Sequence, residues 1–248
     1  MEIKGKVAFV TGGGGAIGGE IGLQLSRRGV AVALADMNGA AAEAMAEQIR
    51  KAGGKSLGLA VDVTDKKSVE EAVSRTGDTL GGIDILVNCA GIYPHSLVMK
   101  MAEAEWDRVV NIILKGTFLT CQAVTPGMKQ RHYGKIVNIG SNHAFKGGAK
   151  AAHYAAAKAG VLGFSKSLAL EVAPDGINVN TVSPGITDTP MPHAVLTDAF
   201  LAERARKIPL GRLAVPRDIA DAVLFFVSEQ SRYITGQTLC VNGGDLMP

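Results

Sequence analysis

A glycine cluster, Thr11-Gly-Gly-Gly-Gly-Ala-Ile-Gly18, constrains this chain more than any other feature. Gly13, Gly15 and Gly18 satisfy the spacing G-x-G-x-x-G. Glycines at these positions let the backbone turn tightly and let main-chain N–H groups at a helix N-terminus approach a pyrophosphate. The spacing alone is a weak signal, and the flanking sequence makes it specific. Val7 to Val10 is a short apolar run bounded by Gly5, which predicts a buried strand. Ile17 to Arg28 carries apolar residues at 17, 21, 23 and 25, which predicts a helix. A second predicted strand, Val30 to Ala35, runs directly into Asp36, the acidic residue that such a site presents to a ribose. Gly19, where a nucleoside-triphosphatase loop needs lysine after Gly18, excludes that alternative.

The same alternation continues to the end of the chain. Predicted helices span 40–52, 66–80, 103–128, 151–172 and 217–227. Predicted strands span 57–63, 83–87, 135–139, 177–182 and 238–241. Continuous apolar strands alternating with helices imply a parallel sheet covered on both faces. Right-handed crossovers then give an α/β, doubly wound (Rossmann) sheet of about seven strands. No change in composition marks a second domain, so residues 1–248 are expected to form one. The least regular region, about 186–209, holds Pro190, Pro192 and Pro209 around an amphipathic stretch from Val195 to Arg206. Its place between candidate site residues favours a substrate lid over a plain surface excursion.

Composition narrows the class. Hydrophobic residues are 47% and charged residues 20%, which excludes disorder, collagen and coiled coil as the main architecture. A net charge of +3 gives no reason to expect nucleic acid or a membrane surface as partner. Cys89, Cys121 and Cys240 are few and far apart, as expected of reduced, buried thiols. The five histidines form no metal-binding spacing, so no metal is expected. Lys4 and Lys6 before an apolar run, and Arg27-Arg28 before another, resemble export signals. Gly12 to Gly15 would break the first, and the second is internal and stops at Asp36. A cytoplasmic setting is the expectation.

Chemistry enters with Tyr154 and Lys158, spaced to share one face of a helix. A phenol has an ordinary pKa of about 10. A neighbouring ammonium is expected to lower it, so that the tyrosine exchanges a proton with an alcohol or carbonyl. Ser141 ends a predicted strand, as do Asn88-Cys-Ala-Gly91 and Pro184-Gly185. These groups would line the carboxyl edge of one sheet, where doubly wound folds bind ligands. Asp36 would accept from a ribose 2′-hydroxyl and repel a 2′-phosphate, and Met37 and Asn38 offer no cation, so NAD is expected over NADP.

With these motifs together, the chain resembles the classical short-chain dehydrogenase/reductase family from Thr11 to Gly244. Thr11, Gly12 and Gly18 match the family's T-G-x-x-x-G-x-G, with Ala16 in place of its middle glycine. Asn88, Cys89, Ala90 and Gly91 match N-N-A-G, with cysteine for the second asparagine. Pro184-Gly-Ile-Thr-Asp-Thr189 matches P-G-x-[VI]-x-T, with Thr187 for the branched aliphatic residue. The resemblance implies a catalytic set of Asn111, Ser141, Tyr154 and Lys158. Tyr154 would be the general acid/base, with Lys158 lowering its pKa and holding the nicotinamide ribose. Ser141 would bond the reacting oxygen, and Asn111 would steady a relay water beside Lys158. The resemblance further implies nucleotide contacts from Gly12, Gly15, Ala16, Ile17, Gly18, Asp36, Asp62, Val63, Asn88, Ala90, Gly91, Tyr154, Lys158, Pro184, Gly185, Thr187 and Thr189. It also implies a homo-oligomer, usually a tetramer.

Substrate contacts should follow the fourth, fifth and sixth strands. Candidates are Ser141, His143, Tyr93 and Met191. His143 would either donate to a polar substrate group or meet water at the rim, and Tyr93 and Met191 would either floor a pocket or pack in the core. His153 would pack or face solvent, and Trp106 would be structural. The leading expectation is an NAD-dependent oxidoreductase that interconverts a hydrophobic secondary alcohol, aryl ones included, and its ketone. The alternative is a 3-oxoacyl-carrier-protein reductase, an activity that normally uses NADPH and docks an acidic carrier. Asp36 argues against it, while Arg204, Arg206 and Lys207 leave it open. A non-catalytic nucleotide-binding protein ranks last, since each family catalytic position is assigned a matching residue.

Overall fold

A computed structural model describes residues 3–248. Seven parallel strands form one sheet in the order β3-β2-β1-β4-β5-β6-β7. They are β1 (Val7–Thr11), β2 (Ala31–Asp36), β3 (Ser56–Ala60), β4 (Ile85–Asn88), β5 (Gly134–Ile139), β6 (Ile177–Pro184) and β7 (Thr238–Val241). The chain winds outward from β1 to β3 and then returns to lay β4 on the other side of β1. The carboxyl ends of β1 and β4 are therefore the switch point of the sheet, where the loops diverge and leave a crevice.

Strand alternation sends side chains to two apolar layers. Ala8 and Val10 of β1 join one layer, with α1 (Ala16–Ser26), α2 (Gly39–Lys51) and α10 (Pro216–Val227). Val7 and Phe9 join the other, with α3 (Lys66–Leu80), α5 (Gly116–Gln130) and α7 (Ala152–Val172). Helix α4 (Glu103–Val110) packs outside the sheet against α7, through Val109 and Val161 among others. Two short helices, α6 (His143–Lys146) and α8 (Pro190–His193), lie in loops, and α9 (Asp198–Lys207) occupies the irregular region. No helix among the described residues is long and apolar enough to cross a membrane.

Three departures from the sequence expectation bear on the site. The predicted helix 103–128 is interrupted by a π-helical turn at Asn111–Lys115, which changes the phase of every side chain beyond it. The predicted strand 57–63 ends at Ala60, because Asp62 folds into a turn whose carboxylate accepts from the Thr64 N–H and hydroxyl. Only Cys121 is buried; Cys89 and Cys240 are half-buried, and none of the three is in a disulfide.

Candidate active site

The glycine turn is built from main chain. Gly12 has φ +65°, in the left-handed region that favours glycine. A side chain on Gly18 would collide with the Gly12 carbonyl oxygen, so the start of α1 closes onto the turn only without one. Gly15 caps α1 with no side chain bonded to the helix end. Gly15, Ala16, Ile17 and Gly18 line a cavity of about 1100 Å³. First-turn N–H groups have no partner within their own helix, and with the helix dipole they make a cradle for an anion. The residues present therefore fit a dinucleotide pyrophosphate.

One cavity runs from this turn to the chemistry-bearing residues. At its acidic end the Asp36 carboxylate accepts from the Gly14 N–H at 3.0 Å and the Asn38 N–H at 2.9 Å. Ala35, Met37, Val61, Asp62 and Val63 surround it, with no cation among them. Thr11 holds the opposite wall, its hydroxyl accepting from the Cys89 and Ala90 N–H groups at 3.1 and 3.2 Å. Ala90, Gly91, Pro184, Gly185, Thr187 and Thr189 all line the cavity, as do Tyr93, Ser141, His143 and Met191.

Asn88 does not line it. Its side chain turns under the sheet edge, donating to Asn138 at 2.8 Å and accepting from the Thr120 hydroxyl at 2.6 Å. The expected nucleotide contact is thus replaced by a buried tie between β4, β5 and α5, because the strand pleat points Asn88 at the helix layer.

Asn111 is also misplaced by the sequence reading. It is exposed, outside the cavity, on the first residue of the π-helical turn. Two residues is about half a turn of helix, so Ile113 takes the inward position. Ile113 is 1% exposed and packs with Ala157, Val161 and Tyr154. A methyl group on Gly91 would lie 3.7 Å from its Cγ1 and 3.9 Å from the Lys158 amine. The flank of Lys158 where a relay amide was expected is therefore aliphatic.

Tyr154 and Lys158 share the inner face of α7, as their spacing requires. Lys158 is buried, and its amine donates to the Ile139 carbonyl at 2.6 Å. Burial lowers its pKa to about 8. The amine stands 5.8 Å from the centre of the Tyr154 ring. Burial pushes the phenol up to about 12, against a hydrogen bond from Ser141 that favours the phenolate. The expected depression by Lys158 is therefore absent: desolvation outweighs an ammonium turned toward a carbonyl.

His153 is wholly buried. Its Nδ1 accepts from the Tyr154 N–H at 2.9 Å and its Nε2 meets Glu105 at 3.2 Å, so it fixes the start of α7 against α4. Trp106 is 40% exposed, so core packing does not account for it. His143 contacts Ser141 through Nδ1 at 3.4 Å and the Tyr93 hydroxyl through Nε2 at 3.1 Å. Tyr93 packs edge-on against Tyr154, centroids 4.7 Å apart.

The irregular region supplies Leu196, Phe200, Glu203, Arg204 and Lys207 to the cavity wall. The three- and four-residue spacing of Phe200, Glu203, Arg204 and Lys207 marks one face of α9, with Leu196 just before the helix, a pattern present in the sequence but not assigned to the site. Arg204 bonds Asp245 at 2.8 Å and Lys207 is paired with Glu203, while Arg206 is exposed and paired with no carboxylate among the described residues, so the trio keeps one free cation there for an acidic partner.

Residues 14–245 match a family model described as enoyl-(acyl carrier protein) reductase. The chain belongs to the classical short-chain dehydrogenase/reductase family. It is 43% identical to a 3-oxoacyl-[acyl-carrier-protein] reductase FabG of Vibrio harveyi and 41% identical to that of Escherichia coli, over 100% of both chains in each case. It is 39% identical, over 98% of both chains, to the (2S)-[(R)-hydroxy(phenyl)methyl]succinyl-CoA dehydrogenase subunit BbsD of Thauera aromatica. Members of the family are oxidoreductases that bind a nicotinamide dinucleotide, which agrees with the cradle and cavity of this short-chain dehydrogenase/reductase.

Proposed function

We propose that this protein interconverts a 3-hydroxyacyl thioester and its 3-oxoacyl counterpart, with NAD as hydride carrier. One observation carries the reading: a single cavity joins the acidic tip of β2 to the Ser141, Tyr154 and Lys158 side chains. A 2′-phosphate would meet the Asp36 carboxylate with Asp62 nearby and no cation, whereas a free 2′-hydroxyl would donate to Asp36. The nicotinamide, when bound, gives or takes the hydride at the carbon bearing the oxygen.

The chain's own groups do the rest. Tyr154 passes the proton to or from the substrate oxygen, Ser141 holds that oxygen by hydrogen bond, and Lys158 holds the ribose. Thr189 and the backbone at 186–187 bind the carboxamide. Residues 186–209 act as the lid of a one-domain enzyme, with Phe200 and Met191 facing the acyl group. The thioester comes from the relatives, whose names specify a 3-oxoacyl group on a carrier protein and a hydroxylated acyl-CoA. A tetramer rests on the family resemblance alone, and a cytoplasmic setting on the sparse cysteines and on the two export-like runs, neither of which fits the pattern of such a signal.

A second reading, a hydrophobic secondary alcohol without a thioester, is favoured by the aromatic wall of Tyr93, His143 and Phe200. The two separate in an assay of purified protein. 3-Oxoacyl thioesters of coenzyme A and of a carrier protein are compared with matched plain ketones, with NADH and NADPH, by nicotinamide absorbance. Faster turnover of a thioester with NADH is expected. Equal turnover of the plain ketones would overturn the thioester, and preference for NADPH would overturn the cofactor assignment.

A further inference from the structure

We propose that His143 is the group through which the Tyr154 proton exchanges with solvent. The inference rests on the alcohol–ketone chemistry above and deepens it. Each turnover leaves Tyr154 one proton short or one in excess, and a half-buried phenol needs a route to water. Two directions lead away from it. Toward Lys158 the wall is aliphatic: Ile113 is buried against Ala157 and Val161, and the amine is bonded to the Ile139 carbonyl. Toward Ser141 the wall is polar and continuous. Ser141 and Tyr154 line the same cavity wall, with Ser141 favouring the phenolate; His143 Nδ1 lies 3.4 Å from the Ser141 oxygen, and His143 Nε2 lies 3.1 Å from the Tyr93 hydroxyl.

The tautomer with hydrogen on Nε2 satisfies both imidazole contacts. Nδ1 accepts from the Ser141 hydroxyl, and Nε2 donates to Tyr93. The Ser141 oxygen also accepts from the His143 N–H at 3.1 Å, which leaves its own hydrogen free to point at Nδ1. In alcohol oxidation the substrate O–H bond breaks and its proton passes to the Tyr154 phenolate. The phenol then gives its proton to Ser141 as the Ser141 proton moves to Nδ1. The imidazolium so formed releases its Nε2 proton toward Tyr93 and water, which leaves the neutral ring protonated on Nδ1, and proton exchange with water returns it to the Nε2–H tautomer before the next turnover. Reduction runs the same shifts backward, with the proton drawn from water, and no charge accumulates on serine.

The surroundings of the ring suit this role. Burial lowers the His143 pKa from the usual imidazole value, and Lys146, His95 and Arg204 lower it further while Asp245 opposes them. Tyr93 and Tyr154 face the ring as neutral phenols, at centroid distances of 5.4 and 5.7 Å. The resting imidazole is therefore neutral at pH 7, with Nδ1 open to accept.

The test compares wild type with His143→Gln, His143→Ala and Tyr154→Phe, each checked by thermal melt. Turnover is measured across pH with and without added imidazole. In His143→Gln, which keeps hydrogen bonds but cannot shuttle protons, kcat should fall about 100-fold with KM within about twofold. The part of the acidic limb of the wild-type kcat–pH profile for oxidation that lies below the usual imidazole value should vanish, while the limb due to Tyr154 itself remains. Added imidazole should restore His143→Ala toward wild type in proportion to the concentration of its neutral form. Unchanged kcat and pH profile in His143→Gln would overturn the inference and leave the reaction standing. A loss carried mainly by KM, or one that imidazole does not rescue, would also overturn it in favour of a positioning role. If Tyr154→Phe matched wild type, the underlying reaction would fail, and the relay with it.

Discussion

At the nucleotide end of the cavity the wall is main chain; at the proton end it is side chain. Gly12 contributes its left-handed φ, residues 16–18 contribute the free N–H groups of the first helical turn, and Gly18 functions by having no side chain at all. At the other end, Ser141, His143, Tyr93 and Tyr154 act through oxygens and ring nitrogens that three separate chain segments must bring within bonding distance. A backbone site is written in a contiguous stretch of residues, because the turn that makes it is local. A side-chain site depends on how the loops after β4 and β5 and helix α7 are placed against one another, which is tertiary. The two ends should therefore respond differently to substitution: the proton end by losing turnover at unchanged nucleotide affinity, the nucleotide end by changing which dinucleotide is used.

The proton end gives the largest effect. Tyr154→Phe removes one hydroxyl from a half-buried ring that keeps its packing against Tyr93. Turnover should fall about 1000-fold, within the range for loss of a general acid/base, while NADH affinity by fluorescence titration changes less than about threefold. A comparable loss of nucleotide affinity would show that the two ends are not separable.

The nucleotide end gives a smaller one. Asp36→Ala removes the carboxylate that would accept from a ribose hydroxyl and repel a phosphate. A hydrogen bond to a charged group contributes about 1.5–3 kcal/mol, so the NADH:NADPH ratio of kcat/KM should shrink roughly 10- to 100-fold. An unchanged ratio would mean that Asp36 serves only the Gly14 and Asn38 N–H groups it already bonds.

How much of this was legible in the sequence follows the same division. The order of strands and helices came from apolar runs and their period, and the sheet has the expected seven strands in parallel. The glycine turn and Asp36 were legible for the local reason just given. Tyr154 and Lys158 were legible as neighbours because one helix carries both. The phenol's acidity was not, because it depends on where the Lys158 amine points, and that amine reaches the Ile139 carbonyl. Asn88 was assigned to the nucleotide because its motif borders the cavity, yet the pleat turns its side chain the other way. Asn111 failed for a subtler reason. A π-helical turn begins at that residue, and no periodicity argument anticipates the phase shift that brings Ile113 inward.

Ile113 also provides the smallest expected change in turnover and the sharpest discrimination between the two proton directions. Ile113→Asn sets an amide beside Lys158, where the family resemblance had led us to expect one. The substitution loses a buried aliphatic side chain and leaves an amide short of partners, which should cost about 2–4 kcal/mol and lower Tm by several degrees. If protons travel by Ser141 and His143, a new polar group on the far side of Tyr154 is redundant, and kcat should stay within about threefold of wild type below the melting transition. A rise in kcat of tenfold or more would show that the aliphatic flank had been limiting and that the exit lies beside Lys158. The double variant with His143→Gln decides between these outcomes directly. If the asparagine restores turnover that the glutamine removed, either route can serve once it is polar, and this chain differs from its expected pattern in having moved the route from one side of the phenol to the other.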